Sequence, residues 1–168
     1  MSVFTQLKQQ LSEQRSQLQL AQEWIQLKAD VDLLAEESSL LGWLKSQNQH
    51  FPHFFFEKRD ENQTIATIGA VETFSSLEEA QAFVQSNSLS LVGGIQFEGL
   101  CQFVLPRLML VKNSQKLTAY LTLNISEQAV DFTDIFSNLG TDFFIQNHQI
   151  LPPQSSPLYF VHQTSYFF

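Results

Sequence analysis

A chain of 168 residues with 43% apolar residues can fill the core of one domain, but its net charge of −8 and nine scattered basic residues argue against nucleic acid as a partner. Its single cysteine, Cys101, excludes an internal disulfide. Residues 1–8 lack the pattern of a signal peptide, and no apolar run reaches the length of about 18 residues that spans a bilayer, so we expect a cytoplasmic protein without a membrane span.

The first half of the chain predicts two helices, a strand and a hairpin. Apolar residues at helical spacing predict an amphipathic helix over residues 3–20, and two-residue alternation predicts a strand from Ile25 to Val31. Helical spacing returns between Leu33 and Gln47, and Pro52 prevents a helix from continuing. The segments 54–59 and 64–74 are rich in β-forming residues and flank a polar turn, which is typical of a hairpin.

Residues 75–97 predict a capped helix followed by an interrupted strand. Two overlapping Ser-x-x-Glu capping boxes, from Ser75 and from Ser76, indicate a helix that ends at residues 86–88. Its buried face should hold Leu77, Ala80 and Val84. Beyond it, a strand interrupted by Gly93-Gly94 is predicted from the alternation of Leu89, Leu91, Ile95 and Phe97.

The remaining elements complete an α+β fold. Residues 103–111 are apolar on both faces except at Arg107, which predicts a strand between two layers, with Pro106 at a bulge or an edge. Another alternating strand is predicted over residues 117–125 and a helix over 128–139. Because the joins are of the hairpin type, we expect a mainly antiparallel sheet with flanking helices. The expected domain spans residues 1–150, followed by a linker at 151–157 and a strand from Leu158 to Val161.

Four segments carry a resemblance to a known family. They read FPHFFFEKR at residues 51–59, IGAVETFSSLEEA at 68–80, GGIQF at 93–97 and FVLPRL at 103–108. In that order and at those spacings they resemble the N-terminal half of bacterial isochorismate synthases, above all the menaquinone-pathway type, within the chorismate-utilising enzymes. The resemblance covers about residues 40–125 and implies part of a large β-sandwich flanked by helices.

The same resemblance implies that the catalytic machinery lies in a C-terminal half. Family members convert chorismate to isochorismate with Mg²⁺ held by glutamates, a lysine as general base and a glutamate as general acid. Their motifs, of the types Asp-Lys-Val-Val-Leu-Ala-Arg and Gly-Ser-Ser-Pro-Glu-Arg, do not occur in this sequence. We therefore predict no catalytic, cofactor-binding or metal-binding residue in this chain, an inactive protein by itself, and residues 151–168 as a linker and the start of the missing half.

Two histidines, the cysteine and a glycine pair are candidates for functional roles. His50 and His53 have the spacing of a metal pair, but Pro52 between them favours a loop-to-strand junction. Cys101 lacks a basic neighbour, which favours a semi-buried structural thiol over a nucleophile. Gly93-Gly94 falls within a strand, which favours a bulge or a close backbone approach over a phosphate loop.

The charged side chains are predicted to have structural roles. For Arg107 we predict a structural pairing with a carboxylate, with contact to a substrate carboxylate as the alternative. Glu78 and Glu79 belong to a helix cap. The remaining candidates lie further along the chain, with a helix face predicted for Asp131 and Asp134 and a surface position for His148 and His162.

Three functions are compatible with the sequence. The first is the non-catalytic portion of an isochorismate synthase, which supports the absent catalytic half. The second is a stand-alone interaction module whose exposed apolar sheet face pairs with itself or with a separate catalytic chain. The third, motivated by 16 phenylalanines, is a pocket for a small aromatic ligand.

Overall fold

The computed structural model describes residues 3–16, 23–33, 39–47 and 50–124. These residues form, in chain order, α1 (Val3–Ser16), β1 (Trp24–Asp32), α2 (Leu40–Ser46), β2 (His53–Lys58), β3 (Gln63–Phe74), α3 (Leu77–Asn87), β4 (Val92–Ile95), β5 (Cys101–Lys112) and β6 (Lys116–Asn124). The predicted helix at 128–139, the linker at 151–157 and the strand at 158–161 lie outside the described residues.

The described strands form one antiparallel sheet in the order β1-β6-β5-β3-β2, with β4 paired to β5. Strand β5 is central, since β3 pairs along one of its edges and two strands share the other edge. On that shared edge β4 pairs with residues 101–104 and β6 pairs with residues 108–112. The apolar character of β5 on both faces agrees with this position. The predicted α+β fold with a mainly antiparallel sheet is confirmed.

One face of the sheet is covered by α1 and α2. We call the cluster formed there the helix-side core, and it contains Leu7 and Leu11 of α1, Trp43 and Leu44 of α2, and the inward residues of β1, β3, β5 and β6. The rings of Phe4 and Trp43 stack with centroids 6.1 Å apart, which joins the two helices. The helical spacing of Phe4, Leu7 and Leu11 therefore marks the buried stripe of α1, as predicted.

Two further clusters complete the core. The first, which we call the α3 core, contains Ala80 of α3 together with Leu89, Leu91, Phe103 and Leu105. Beside it, the ring of Trp24 of β1 meets the ring of Phe83 of α3 edge to face, with centroids 5.9 Å apart. The second group is a strand cluster whose buried members, all on strands, are Phe54, Phe56, Ile65, Val92, Val104 and Met109.

The bounds of α2 and β4 differ from the predictions, while the predicted bulge at Pro106 is confirmed. Helix α2 begins at Leu40 rather than Leu33, because the Ser39 hydroxyl caps it by accepting from the Gly42 backbone N–H at 3.1 Å. Strand β4 covers Val92–Ile95 only, while Phe97 sits in the following turn with its side chain fully exposed. Pro106 lies in the central strand, opposite Ala70 and next to the register shift between Ala70 and Glu72. Of its two predicted positions, the bulge is therefore correct and the edge of the sheet is wrong.

Candidate functional site

A polar row crosses the sheet on the face opposite α1 and α2. It consists of Gln26 on β1, Thr122 on β6, Arg107 on β5 and Gly69 on β3. Gln26 faces Thr122 in the β1–β6 ladder. In the β3–β5 ladder the neighbours of Gly69, which are Ile68 and Ala70, face the neighbours of Arg107, which are Leu108 and Pro106. The residues next to them on the same strands point into the helix-side core. Since successive residues of a strand point to opposite faces, the row lies on the sheet face away from α1 and α2.

Hydrogen bonds join the three members of the row that have polar side chains. The Arg107 guanidinium donates from Nη1 to the backbone carbonyl of Thr122 at 2.9 Å. The Gln26 side-chain amide donates to the Thr122 hydroxyl at 3.3 Å, and Thr122 is completely buried. Residues from three strands are thereby tied together independently of the backbone ladder.

Glycine at position 69 makes room for the arginine. Its φ of +71° is costly for any residue with a Cβ, and an added Cβ would lie 2.9 Å from the Arg107 Cβ. The Gly69 N–H donates to the Pro52 carbonyl at 3.0 Å, which holds β3 against the segment that leads into β2. The aliphatic stem of Arg107 therefore runs over a position that a larger residue could not occupy.

The arrangement suits a structural role for Arg107. The Arg107 guanidinium donates to a backbone carbonyl, and its predicted pairing with a carboxylate stays a prediction. The side chains of the row are a guanidinium, a carboxamide and a hydroxyl, which donate and accept hydrogen bonds. The row can bind and orient polar groups, but it offers no group that would transfer a proton near neutral pH.

The two histidines occupy a loop-to-strand junction, as predicted. His53 is buried and opens β2, and its ring stacks on Phe51 with centroids 4.3 Å apart. His50 precedes it with a positive φ of 59°, and the Phe51–Pro52 bond between them is cis. In the part of the chain that the structure describes, no three His, Cys, Asp or Glu residues come together in a way that could hold a metal ion.

The remaining predicted residues divide into confirmed and undescribed positions. Cys101 is half-buried at the start of β5 and packs against the α3 core, as a semi-buried thiol should. Gly93 makes a close backbone approach to β5. Of the two capping boxes, the structure selects Ser76, whose hydroxyl accepts from the Glu79 N–H at 3.1 Å. Outside the described residues lie Asp131, Asp134, His148 and His162.

One electrostatic feature was not anticipated. Asp30 on β1 accepts a hydrogen bond from the Thr118 hydroxyl at 2.6 Å and lies 3.5 Å from the Lys28 ammonium. The Thr118 hydrogen bond lowers the pKa of Asp30 below its ordinary value, with smaller contributions from Lys28 and Lys116, although partial desolvation opposes them. Alternation placed both residues on strands, but it could not show that the strands are neighbours.

Exposed apolar residues also lie elsewhere than predicted. We expected an exposed apolar sheet face, but the strand cluster is buried. Within it, Phe54 and Phe56 are only 6% and 8% exposed. Three of the exposed large apolar side chains in the described part of the chain surround the β4–β5 turn: Ile95, Phe97 and Leu100. Nor does any helix among the described residues have the length and apolarity needed to cross a membrane.

Comparison with known proteins identifies similar sequences. No model of a known protein family matches the chain. Isochorismate synthase MenF of Haemophilus influenzae is 39% identical over 119 residues, which are 71% of this chain and 27% of that protein. The protein of the same name from Pasteurella multocida is 43% identical over 86 residues, 51% of this chain and 20% of that protein. The chain thus spans about a quarter of the length of the curated relatives it matches.

A solved structure agrees with these relatives. The menaquinone-specific isochorismate synthase MenF from Escherichia coli superposes with a TM-score of 0.68 at 24% identity, over 82% of this chain and 34% of that chain. This likeness shows a shared fold. Together with the sequence identities, it confirms the resemblance to isochorismate synthases and fits an N-terminal portion of such an enzyme.

Proposed function

We propose that this chain, which is homologous to part of the isochorismate synthases, is the non-catalytic N-terminal portion of such an enzyme and supports the half that carries the chemistry. The observation that carries the proposal is the 39% identity over 119 residues, confined to 27% of the Haemophilus influenzae protein. The parent reaction would be the conversion of chorismate to isochorismate for menaquinone biosynthesis.

The described side chains fit support better than catalysis. Magnesium in such an enzyme needs several oxygen ligands, and no suitable group of three acidic, histidine or cysteine residues exists among residues 3–16, 23–33, 39–47 and 50–124. The described part of the chain therefore does not fit a magnesium site. We assign the metal, the general base and the general acid to the other portion of the enzyme.

The sheet can act as a rigid platform for that portion. Its central strand β5 is paired on both edges, and Arg107 adds a bond from β5 to β6 beyond the ladder. The helix-side core and the α3 core fix the sheet against its helices, and the strand cluster packs side chains of neighbouring strands together. A platform of this kind positions catalytic residues held by a partner element without taking part in proton transfer.

A reconstitution experiment tests the proposal. The purified chain is incubated with chorismate and MgCl₂, alone and with a separately expressed portion of the Haemophilus influenzae relative that lacks the matched 119 residues. We expect no isochorismate from either portion alone and turnover from the mixture. Turnover by this chain alone would show that it carries the active site, and an active partner portion that gains nothing from the chain would remove the supporting role.

The exposed turn between β4 and β5 favours a second candidate, an interaction module. Phe97 is fully exposed there and Leu100 is 62% exposed, and neighbouring exposed apolar side chains of this kind can form an interaction surface. Sedimentation velocity of the chain and of the variant Phe97→Ser/Leu100→Ser tests this idea. A concentration-dependent dimer that the variant abolishes would support pairing through the turn, whereas a monomer in both proteins would exclude self-pairing there.

A further inference from the structure

Strand β1 is an end strand of the sheet within the described residues, since its ladder partner is β6. Alternate residues of such a strand direct their backbone N–H and C=O groups away from the neighbour, towards the open edge. Unpaired groups of this kind attract strands from other molecules. On β1 the outward groups of Lys28 and Asp30 are already bonded, to side chains of α1.

Two glutamines of α1, which we call the glutamine clamp, make these bonds. Gln10 donates from Nε2 to the Asp30 carbonyl at 3.0 Å, and its Oε1 accepts from the Asp30 N–H at 3.2 Å. Gln14 donates to the Lys28 carbonyl at 2.6 Å and accepts from the Lys28 N–H at 3.2 Å. Each carboxamide therefore satisfies both backbone groups of one residue, as the peptide groups of a neighbouring strand would.

The match depends on a coincidence of spacing. Residues four apart on a helix lie on one face, about 6 Å apart along its axis. Residues two apart on a strand are separated by about 7 Å. The glutamines at 10 and 14 consequently meet residues 30 and 28 in turn, with the helix running antiparallel to the strand. Burial of Leu7 and Leu11 in the helix-side core fixes the helix at this edge.

We infer that the glutamine clamp keeps the edge of β1 closed to a second copy of this chain. The charges on β1 indicate that the strand most suited to this edge is the β1 strand of a second copy. If two β1 strands pair antiparallel about Ala29, Lys28 of each copy faces Asp30 of the other, so opposite charges meet. The same register places the outward backbone groups of residues 28 and 30 opposite each other, as an antiparallel ladder requires. The pairing would be self-complementary about a twofold axis.

The test compares the double variant Gln10→Ala/Gln14→Ala with the control Gln9→Ala/Glu13→Ala. The control removes an exposed Gln9–Glu13 hydrogen bond of 2.9 Å on the same helix and leaves the clamp intact. Both variants gain alanines of high helix propensity, so a change in helix stability alone would affect them alike. Amide hydrogen exchange and sedimentation velocity are measured on the full chain.

In the double variant we expect the amides of Lys28 and Asp30 to exchange about tenfold faster or more, while that of Ala29, which faces Ala119 of β6, changes little. We also expect a dimer that increases with concentration. Adding Lys28→Asp places like charges opposite each other across the pair and should restore the monomer. The control should behave like the wild type throughout.

Three results would overturn the inference. The first is a double variant that stays monomeric at every concentration. The second is a dimer that persists after Lys28→Asp. The third is a wild-type chain in which the Lys28 and Asp30 amides exchange as fast as exposed amides. This last measurement needs no substitution, so it decides the matter even if the double variant does not fold.

Discussion

Gly93 of β4 lies so close to the Gln102 carbonyl oxygen of β5 that no Cβ fits between them. A Cβ built on Gly93 would also come within 2.7 Å of the Phe103 Cα, a backbone atom that cannot rotate away. The two strands pair through this contact, with Gly93 opposite Phe103. The Gly-Gly step is thus a close approach of two backbones, which is a common reason for glycine inside a strand.

We expect Gly93→Ala to destabilise the fold by about 3 kcal/mol or more, because β4 must move away from β5 or distort. Urea unfolding followed by circular dichroism measures the change. The control is Gly42→Ala in α2, where the nearest atom to an added Cβ is the Ser39 Oγ at 3.4 Å. That substitution should stabilise the protein by up to about 1 kcal/mol, since alanine favours helix. Equal effects at the two sites would contradict the contact geometry.

Ser76→Ala should cost about 1 kcal/mol because it removes the hydroxyl that accepts from the Glu79 N–H at the start of α3. Ser75 has the same sequence spacing to Glu78 but precedes the cap. Ser75→Ala should therefore change the free energy of unfolding by no more than a few tenths of a kcal/mol. Thermal unfolding of the two variants distinguishes them, and a larger loss from Ser75→Ala would place the cap one residue earlier.

Thr118→Val removes the hydrogen bond that lowers the pKa of Asp30, so the pKa should rise towards 3.8. A depressed carboxyl pKa stabilises the folded state above the unfolded pKa, and this contribution is lost as pH falls through the folded pKa. We expect the variant to be about 1 kcal/mol less stable at pH 7. The difference should shrink as pH falls below about 4, the ordinary range of an aspartate.

Carboxyl carbon NMR titration of Asp30 and unfolding curves at several pH values check this prediction. Thr73→Val, at an exposed position of β3, controls for the general effect of valine on a strand. A stability difference that stays constant from pH 7 to pH 3 would mean that Thr118 acts through packing rather than through the carboxylate.

Arg107→Met keeps an unbranched stem over Gly69 but removes the donor to the Thr122 carbonyl. We expect a loss of about 1–3 kcal/mol, as for a hydrogen bond from a charged group. Arg59→Met in the exposed β2–β3 turn should have little effect. Chemical unfolding of both variants provides the comparison, and an unchanged stability of Arg107→Met would show that the polar row does not hold β5 to β6.

Much of the fold follows from local patterns. Alternation located β1 and β6, the polar residues at 60–63 located the β2–β3 turn, and the serines before α3 located its start. Alternation failed at residues 89–97, because Leu89 and Leu91 are buried against α3 rather than in a ladder. A period of two therefore reports which side chains are buried, but it does not show what buries them.

The sequence by itself determined the periodicity of the helices and strands, the two capping boxes before α3 and the family resemblance, because each depends only on the order and spacing of residues along the chain. Only the tertiary structure decided that Arg107 bonds to Thr122, that Thr118 lowers the pKa of Asp30, and that Gln10 and Gln14 cover the edge of β1. These pairs join residues from 14 to 88 positions apart. Their contacts arise from strand order and helix placement, which burial of the whole core sets and no local pattern contains.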